Sequence, residues 1–275
     1  MTCGPVMSKS DYVHGYSERE SRRLRDQCQT LAQLLHHDTA YPAGSRVLEA
    51  GCGVGAQTVV LARNSPQAQI TSVDVSPESI RAARAAVERA GLGNVAFQVA
   101  DIFQLPFPEA SFDHVFVCFV LEHLRHPAEA LCRLRAVLKP GGTLTAIEGD
   151  HGSTFFHPRS DAAWRTVQCL IDVQAAMGGN ALVGRELYPL LCKAGFREVA
   201  VSPRFVYVDA SRPAWVEGFT HNTYIAMVEG VREQALAAGM IDRAAWDRGI
   251  ADLKASAGPG GTFCYTFFKG VAVKR

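Results

Sequence analysis

The sequence offers little that would tie the chain to a membrane, a nucleic acid or a disulfide framework. No apolar run approaches the roughly 18 residues of a membrane span. The opening stretch MTCGPVMSKSDYVHGYSERE has no hydrophobic segment of a secretory signal, so the cytosol is the expected compartment. Charge of one sign is also missing: the formal net charge is +1 and basic residues are scattered, leaving no electrostatic footprint for a phosphodiester backbone. No nucleic-acid partner is expected. Eight cysteines, at positions 3, 28, 52, 118, 132, 169, 192 and 264, form no C-x-x-C pair and no regular spacing. That excludes a zinc or disulfide scaffold and predicts reduced, mostly buried thiols. The pairs His36/His37, His123/His126 and His151/His157 lack companion ligands at metal-site spacing, so no metal is expected. Internal repeats, low-complexity tracts and linkers are absent as well.

What remains is an ordinary globular composition, 48% hydrophobic and 20% charged over 275 residues, enough for a sizeable core. Ser17 to His37 reads as an amphipathic helix: Ser17 and Glu20 form a capping-box pattern, and Leu24, Cys28, Leu31 and Leu35 recur at helical steps. From Arg46 short apolar runs (RVLEA, QITSVDV, NVAFQVAD, FDHVFVCF, GTLTAIEG) alternate with helical stretches, which is the rhythm of a parallel sheet covered on both faces. Ser76, Pro77 and Gly91 punctuate one of these helices, and Pro127 opens another that closes near LKPGG. The expected architecture is α/β: a doubly wound, mostly parallel sheet with an antiparallel last strand. Its expected parts are a helical arm (1–40), a core (41–150), a cap insertion (151–182), and the end of the core (183–275) with a second helical insertion at about 211–257.

The stretch VLEAGCGVGAQT packs Gly51, Gly53 and Gly55 behind the first apolar run. A strand that feeds a glycine turn at a helix start can bring backbone N–H groups against a nucleotide or a carboxylate. The spacing is G-x-G-x-G rather than the G-x-G-x-x-G of nicotinamide proteins, with Glu49 just ahead of it. Asp74 closes the second run, where an acidic side chain in a doubly wound sheet accepts ribose hydroxyls. Two longer segments, VADIFQLPFPEASFDHVFVCFVLEHL and LRAVLKPGGTL, complete a set of five successive motifs over roughly residues 45 to 149.

On those motifs the chain resembles the class I S-adenosylmethionine (SAM) dependent methyltransferases, whose fold is Rossmann-like. The resemblance implies that Glu49, Gly51, Cys52, Gly53 and Gly55 form the floor under SAM. Asp74 would take the ribose, with Val75 and Ser76 beside the adenine; Asp101 and the backbone of Ile102 would meet the adenine amino group. Cys118, Phe119 and His123 would lie near the transferring methyl. A noncatalytic SAM-fold binding protein and an NAD-dependent oxidoreductase are the competing readings; the intact loop disfavours the first and the glycine spacing the second.

A sulfonium methyl is already electrophilic, so positioning supplies most of the catalysis. Base candidates are Tyr16, His123, Glu148, Asp150 and His151. A finer resemblance, to quinone-type and bacterial natural-product C-methyltransferases, implies that the leading helix covers the cofactor, gives Tyr16 a place facing the methyl, and sets Arg22, Arg23 or Gln27 near the SAM carboxylate. Phe155, Trp164, Tyr188, Trp215 and Phe219 are the candidate walls of the acceptor site. The expected acceptor is a small apolar or aromatic metabolite (an indole, prenyl or quinone-type intermediate), with carbon slightly favoured over oxygen or nitrogen. A homo-oligomer formed through the arm is a further expectation.

Overall fold

The computed structural model describes residues 18–275, so Tyr16 and the Ser17 cap lie outside the described residues. Helix α1 (Glu18–His36) buries Leu31 and Leu35 completely, which fixes it to the main core instead of leaving it a detached arm. Five strands follow: β1 (Arg46–Ala50), β2 (Gln69–Asp74), β3 (Val95–Val99), β4 (Phe112–Cys118) and β5 (Leu138–His157). Between them lie α2 (Ala56–Asn64), α3 (Pro77–Arg89) and α4 (Pro127–Val137). Ser76 caps α3 by accepting the Ser79 N–H at 3.2 Å, with Pro77 at the first helical position. The chain continues through α5 (Asp161–Ala176), α6 (Leu187–Lys193) and β6 (Arg197–Asp209). It then runs through α7 (Pro213–Trp215), a π-helical stretch (Val216–Ile225), α8 (Ala226–Gly230), α9 (Arg232–Ala237), α10 (Arg243–Ala255) and β7 (Thr262–Val273).

The seven strands form one Rossmann-like sheet in the order β3-β2-β1-β4-β5-β7-β6, and β7 alone runs opposite to the other six. Helices cover both faces, which is why the central strands read as continuous apolar runs rather than alternating ones. One core packs α1, α5, α10 and the π-helical stretch on one face, and a second packs α4 and α6 on the other. The order in which strands are added to the sheet reverses between the parallel neighbours β1 and β4, opening a crevice at their carboxyl ends.

One boundary differs from the sequence reading. The core does not stop at residue 150, because β5 runs on to His157 with Phe155 opposite Cys264 and His157 opposite Thr262. An irregularity after Asp150 is bridged by Ser153, whose hydroxyl donates to the Asp150 carbonyl (2.7 Å) and accepts the Thr266 N–H (2.9 Å). The side chain thereby replaces the interrupted ladder, and the first cap element is α5 alone. Among the described residues no helix is long and apolar enough to cross a membrane.

Candidate active site

The glycine turn after β1 forms the floor of a cleft of about 220 Å³. Its three glycines do different things. Gly51 (φ +76°) leaves room for Val120, whose side chain a Cβ would strike. Gly55 (φ +80°) lets α2 approach α3, since a Cβ there would stand 2.7 Å from the Ala83 Cα. Gly53 (φ +51°) lines the cleft and has no protein atom within 4 Å of where a Cβ would be. The turn's amides are largely committed: Gly51 and Cys52 donate to the Val73 carbonyl (2.8 and 3.0 Å), Gly55 to that of Cys52 (3.0 Å), and Gly53 to Asp74 Oδ2 (2.9 Å). All four N–H groups thus hold the turn's shape.

Glu49 stands behind the turn, 2% exposed and outside the cleft lining. Its Oε2 accepts the hydroxyls of Thr58 (2.7 Å) and Ser72 (2.6 Å), tying β1 to α2 and β2. Burial, with a smaller contribution from Asp74, pushes its carboxyl up to about 7. Asp74 lines the cleft, with Oδ1 on the Ser76 N–H (2.9 Å) and Oδ2 on Gly53; burial raises its carboxyl above the ordinary value against those bonds. Asp101 spends Oδ1 on the Phe103 N–H (2.9 Å), while its buried Oδ2 has no partner among the described residues. Val75, Ile102, Cys118 and Phe119 complete the expected set in the lining. Cys118 is a buried thiol pushed well up by burial and then by Glu148, so it offers no thiolate. Phe119 holds φ +57°, a strained setting for a residue with a Cβ, fixed by its N–H on the Ile147 carbonyl at 2.9 Å.

Beyond the shared wall of Leu24, Phe119 and His123 lies a second cavity of about 30 Å³. Polar side chains from several elements meet there. Glu122 sits between two imidazoles, with Oε1 at 3.5 Å from His123 Nε2 and Oε2 at 4.0 Å from His151 Nε2. The Tyr265 hydroxyl is 2.9 Å from His151 Nδ1.

Residues 48–146 match the family model described as a methyltransferase domain. Over this segment the chain is similar to class I SAM-dependent methyltransferases. It is 32% identical over 219 residues to an uncharacterized 37.1 kDa protein in transposon TN4556 of Streptomyces fradiae, covering 78% of this chain and 59% of that relative. It is 27% identical to 27-O-demethylrifamycin SV methyltransferase of Amycolatopsis mediterranei, covering 81% of this chain and 76% of that one. The crystal structure of the YcgJ protein from Bacillus subtilis superposes with a TM-score of 0.57 at 17% identity, covering 90% and 98% of the two chains, a likeness of fold. The chain thus spans less than two thirds of the Streptomyces relative.

The cleft fits SAM chemically. Asp101 Oδ2 is a buried acceptor with no partner among the described residues, which suits an amino donor. Gly53 leaves the floor bare. Gln57, also in the lining, has its Oε1 held by His36 Nε2 at 2.7 Å, which leaves its amide nitrogen as a donor.

Other sequence candidates lie elsewhere. Glu148 is fully buried and lines neither cavity; its Oε1 accepts the N–H groups of Val120 (3.0 Å) and Leu121 (2.8 Å), so it braces the 121–123 turn. Burial and Glu122 hold its carboxyl well above the usual range, in the neutral form. Asp150 is occupied by Arg185 at 2.7 and 2.8 Å. Arg23 and Gln27 wall the second cavity and bond each other at 2.9 Å. Phe155, Trp164, Tyr188, Trp215 and Phe219 line neither cavity. Phe155 and Tyr188 are exposed, Phe155 stacks on Phe205, Trp164 packs beside Phe156, and Trp215 lies under the Arg212 guanidinium. Phe219 is buried against Tyr265 and Phe267, one layer behind the second cavity. Sequence reasoning passed over Gln57, Glu122, Tyr265 and Phe267; only the position of Glu122 beside His123 gave a local hint.

Proposed function

We propose that the chain catalyses transfer of the SAM methyl group to a small, largely apolar or aromatic acceptor. The observation that carries this reading is the unpartnered Asp101 Oδ2 in a cleft at the tips of β1 to β4, with a second cavity joined to it at Phe119. Bound there, SAM supplies a methyl that needs only an aligned nucleophile. The protein's part is positioning. Asp74 and Asp101 face the adenosyl half, and Phe119 and Leu24 separate the two cavities. Helix α1 closes the side of the cleft through Leu24, which supports the leading helix as a lid. The slight preference for carbon as the accepting atom rests on the sequence resemblance, whereas the groups around the second cavity favour a proton-bearing atom.

The test is calorimetric titration of the full chain with SAM. It is followed by a screen of phenol, indole, quinone and prenyl acceptors that reads S-adenosylhomocysteine release and product mass. Micromolar binding and one methylated product class support the reading. A cleft that takes no SAM, or SAM bound with no turnover on any class, overturns it.

A further inference from the structure

The second cavity is too small for an acceptor molecule and too polar for a packing defect. Its 30 Å³ has room for one or two oxygen-sized groups, since about 10 to 15 Å³ of such space holds one water. Phe119, Phe267 and Met227 make one side apolar; on the other stand Tyr265, His151 and Glu122 in sequence of contact. Each link is held from outside the cavity. Gly149, in the wall, has no Cβ where the Tyr265 hydroxyl lies, and any side chain there would expel it. The Glu122 carbonyl takes the Gln174 amide (3.0 Å) and the Asn180 N–H (2.7 Å), fixing the residue that carries the carboxylate. Tyr224 meets the His151 ring edge-on with centroids 6.0 Å apart, and its own hydroxyl is engaged by Thr154 at 2.6 Å.

Resting on the methyltransferase reading, we propose that Tyr265 and His151 form a proton relay that deprotonates an acceptor hydroxyl, so that the substrate is a phenol, enol or alcohol methylated on oxygen. Tyr265 is the catalytic residue that touches the hydroxyl; His151 acts through it, and Glu122 faces the charge that His151 acquires. In the step, a lone pair of the acceptor oxygen forms the C–O bond as the methyl's C–S bond breaks and its electron pair returns to sulfur. The acceptor proton passes to the Tyr265 oxygen while the Tyr265 proton passes to His151 Nδ1. A hydroxyl, a sulfonium and a neutral imidazole become a methyl ether, a thioether and an imidazolium, with charge conserved.

The electrostatics suit these roles. Burial lowers the His151 imidazole below its ordinary value; Glu122 opposes that, and Arg23 and His123 add to it, so the ring is neutral at pH 7 and able to accept. Burial holds the Tyr265 phenol well above its ordinary value, so it passes a proton on rather than losing one to solvent. Asp150, the remaining nearby carboxylate, is neutralised by Arg185.

The experiment uses 4-nitrophenol, whose anion absorbs visibly, with the full chain and its Tyr265→Phe and His151→Asn variants, with and without saturating S-adenosylhomocysteine. The wild type is expected to ionise the bound probe at lower pH than in free solution; both variants are expected to lose that shift while binding S-adenosylhomocysteine as the wild type does. Single-turnover methylation of the phenol should fall at least about a hundredfold in Tyr265→Phe, the usual scale of lost general-base assistance. The wild-type rate should drop as pH falls through the His151 value, and His151→Asn should abolish that dependence. A wild type without the shift, or a Tyr265→Phe variant that keeps it, overturns the relay. Failure of S-adenosylhomocysteine to bind overturns the methyltransferase reading instead, since the probe's ionisation is read without it.

Discussion

The cleft at the tips of β1 to β4 and the small cavity beside β5 and β7 share a wall, yet they are built differently. In the cleft, the two aspartates sit at or just past a strand end and are held by backbone N–H groups: Asp74 by Gly53 and Ser76, Asp101 by Phe103. In the small cavity, Glu122, His151 and Tyr265 come from three distant segments and meet through their side chains. The lesson is that carboxylates at strand tips can be placed by local chain geometry, whereas the polar row in the small cavity depends on how elements far apart in sequence pack.

That contrast can be broken or sharpened by substitution. The largest effect is expected at Gly55→Ala, where a left-handed φ and a collision with the Ala83 backbone combine. Thermal or urea unfolding should show a loss of about 2 to 4 kcal/mol. Gly53→Ala, by contrast, has open space around its Cβ, so its fold should lose only about 1 to 2 kcal/mol, with the larger consequence in SAM affinity. Next come Asp74→Ala and Asp101→Ala, each removing a charge-assisted acceptor worth about 1.5 to 3 kcal/mol, and calorimetry should find SAM binding weakened at least about tenfold. Asp74→Ala should also lower the melting temperature, because Gly53 and Ser76 lose their acceptor; Asp101→Ala should do so less.

A smaller effect, visible only against pH, is expected of Glu49. Its folded value, about 7, lies above the ordinary carboxylate value of 4.5, so its contribution to stability is complete below pH 4.5 and declines as pH rises to about 7. Glu49→Gln keeps an acceptor for Thr58 and Ser72 and should flatten that decline in denaturant titrations across the same range. The smallest effects belong to Phe155→Ala and Tyr188→Ala. Both side chains are more than half exposed, so stability should move within about 0.5 kcal/mol and SAM affinity not at all. A marked loss of binding in either would erase the distinction between cleft and periphery.

Legibility followed the same division. The sheet could be read because strands covered on both faces must be apolar throughout, and helix ends such as Ser76-Pro77 carry their own chemistry. Gly51, Cys52, Gly53, Asp74, Val75, Asp101, Ile102, Cys118 and Phe119 could be placed in the cleft because they follow strand tips by fixed short steps. Glu49 and Gly55 belong to the same turn but act behind it. Aromatics in the cap segments misled, since Phe219 and Trp164 recur at helical steps whether they face a substrate or a core. Glu148, at the end of an apolar run, looked like a rim residue; the turn it braces folds over it.

The order of apolar runs and turns, together with the glycine and aspartate positions, was enough to determine a parallel α/β sheet with a SAM-type crevice, because those constraints act over a few neighbouring bonds. Packing alone decided that Tyr265 on the last strand reaches His151 on the fifth, that Glu122 closes the row, and that Leu24 divides the two cavities. Such contacts are specified by the docking of whole elements, and no short stretch of chain encodes that docking.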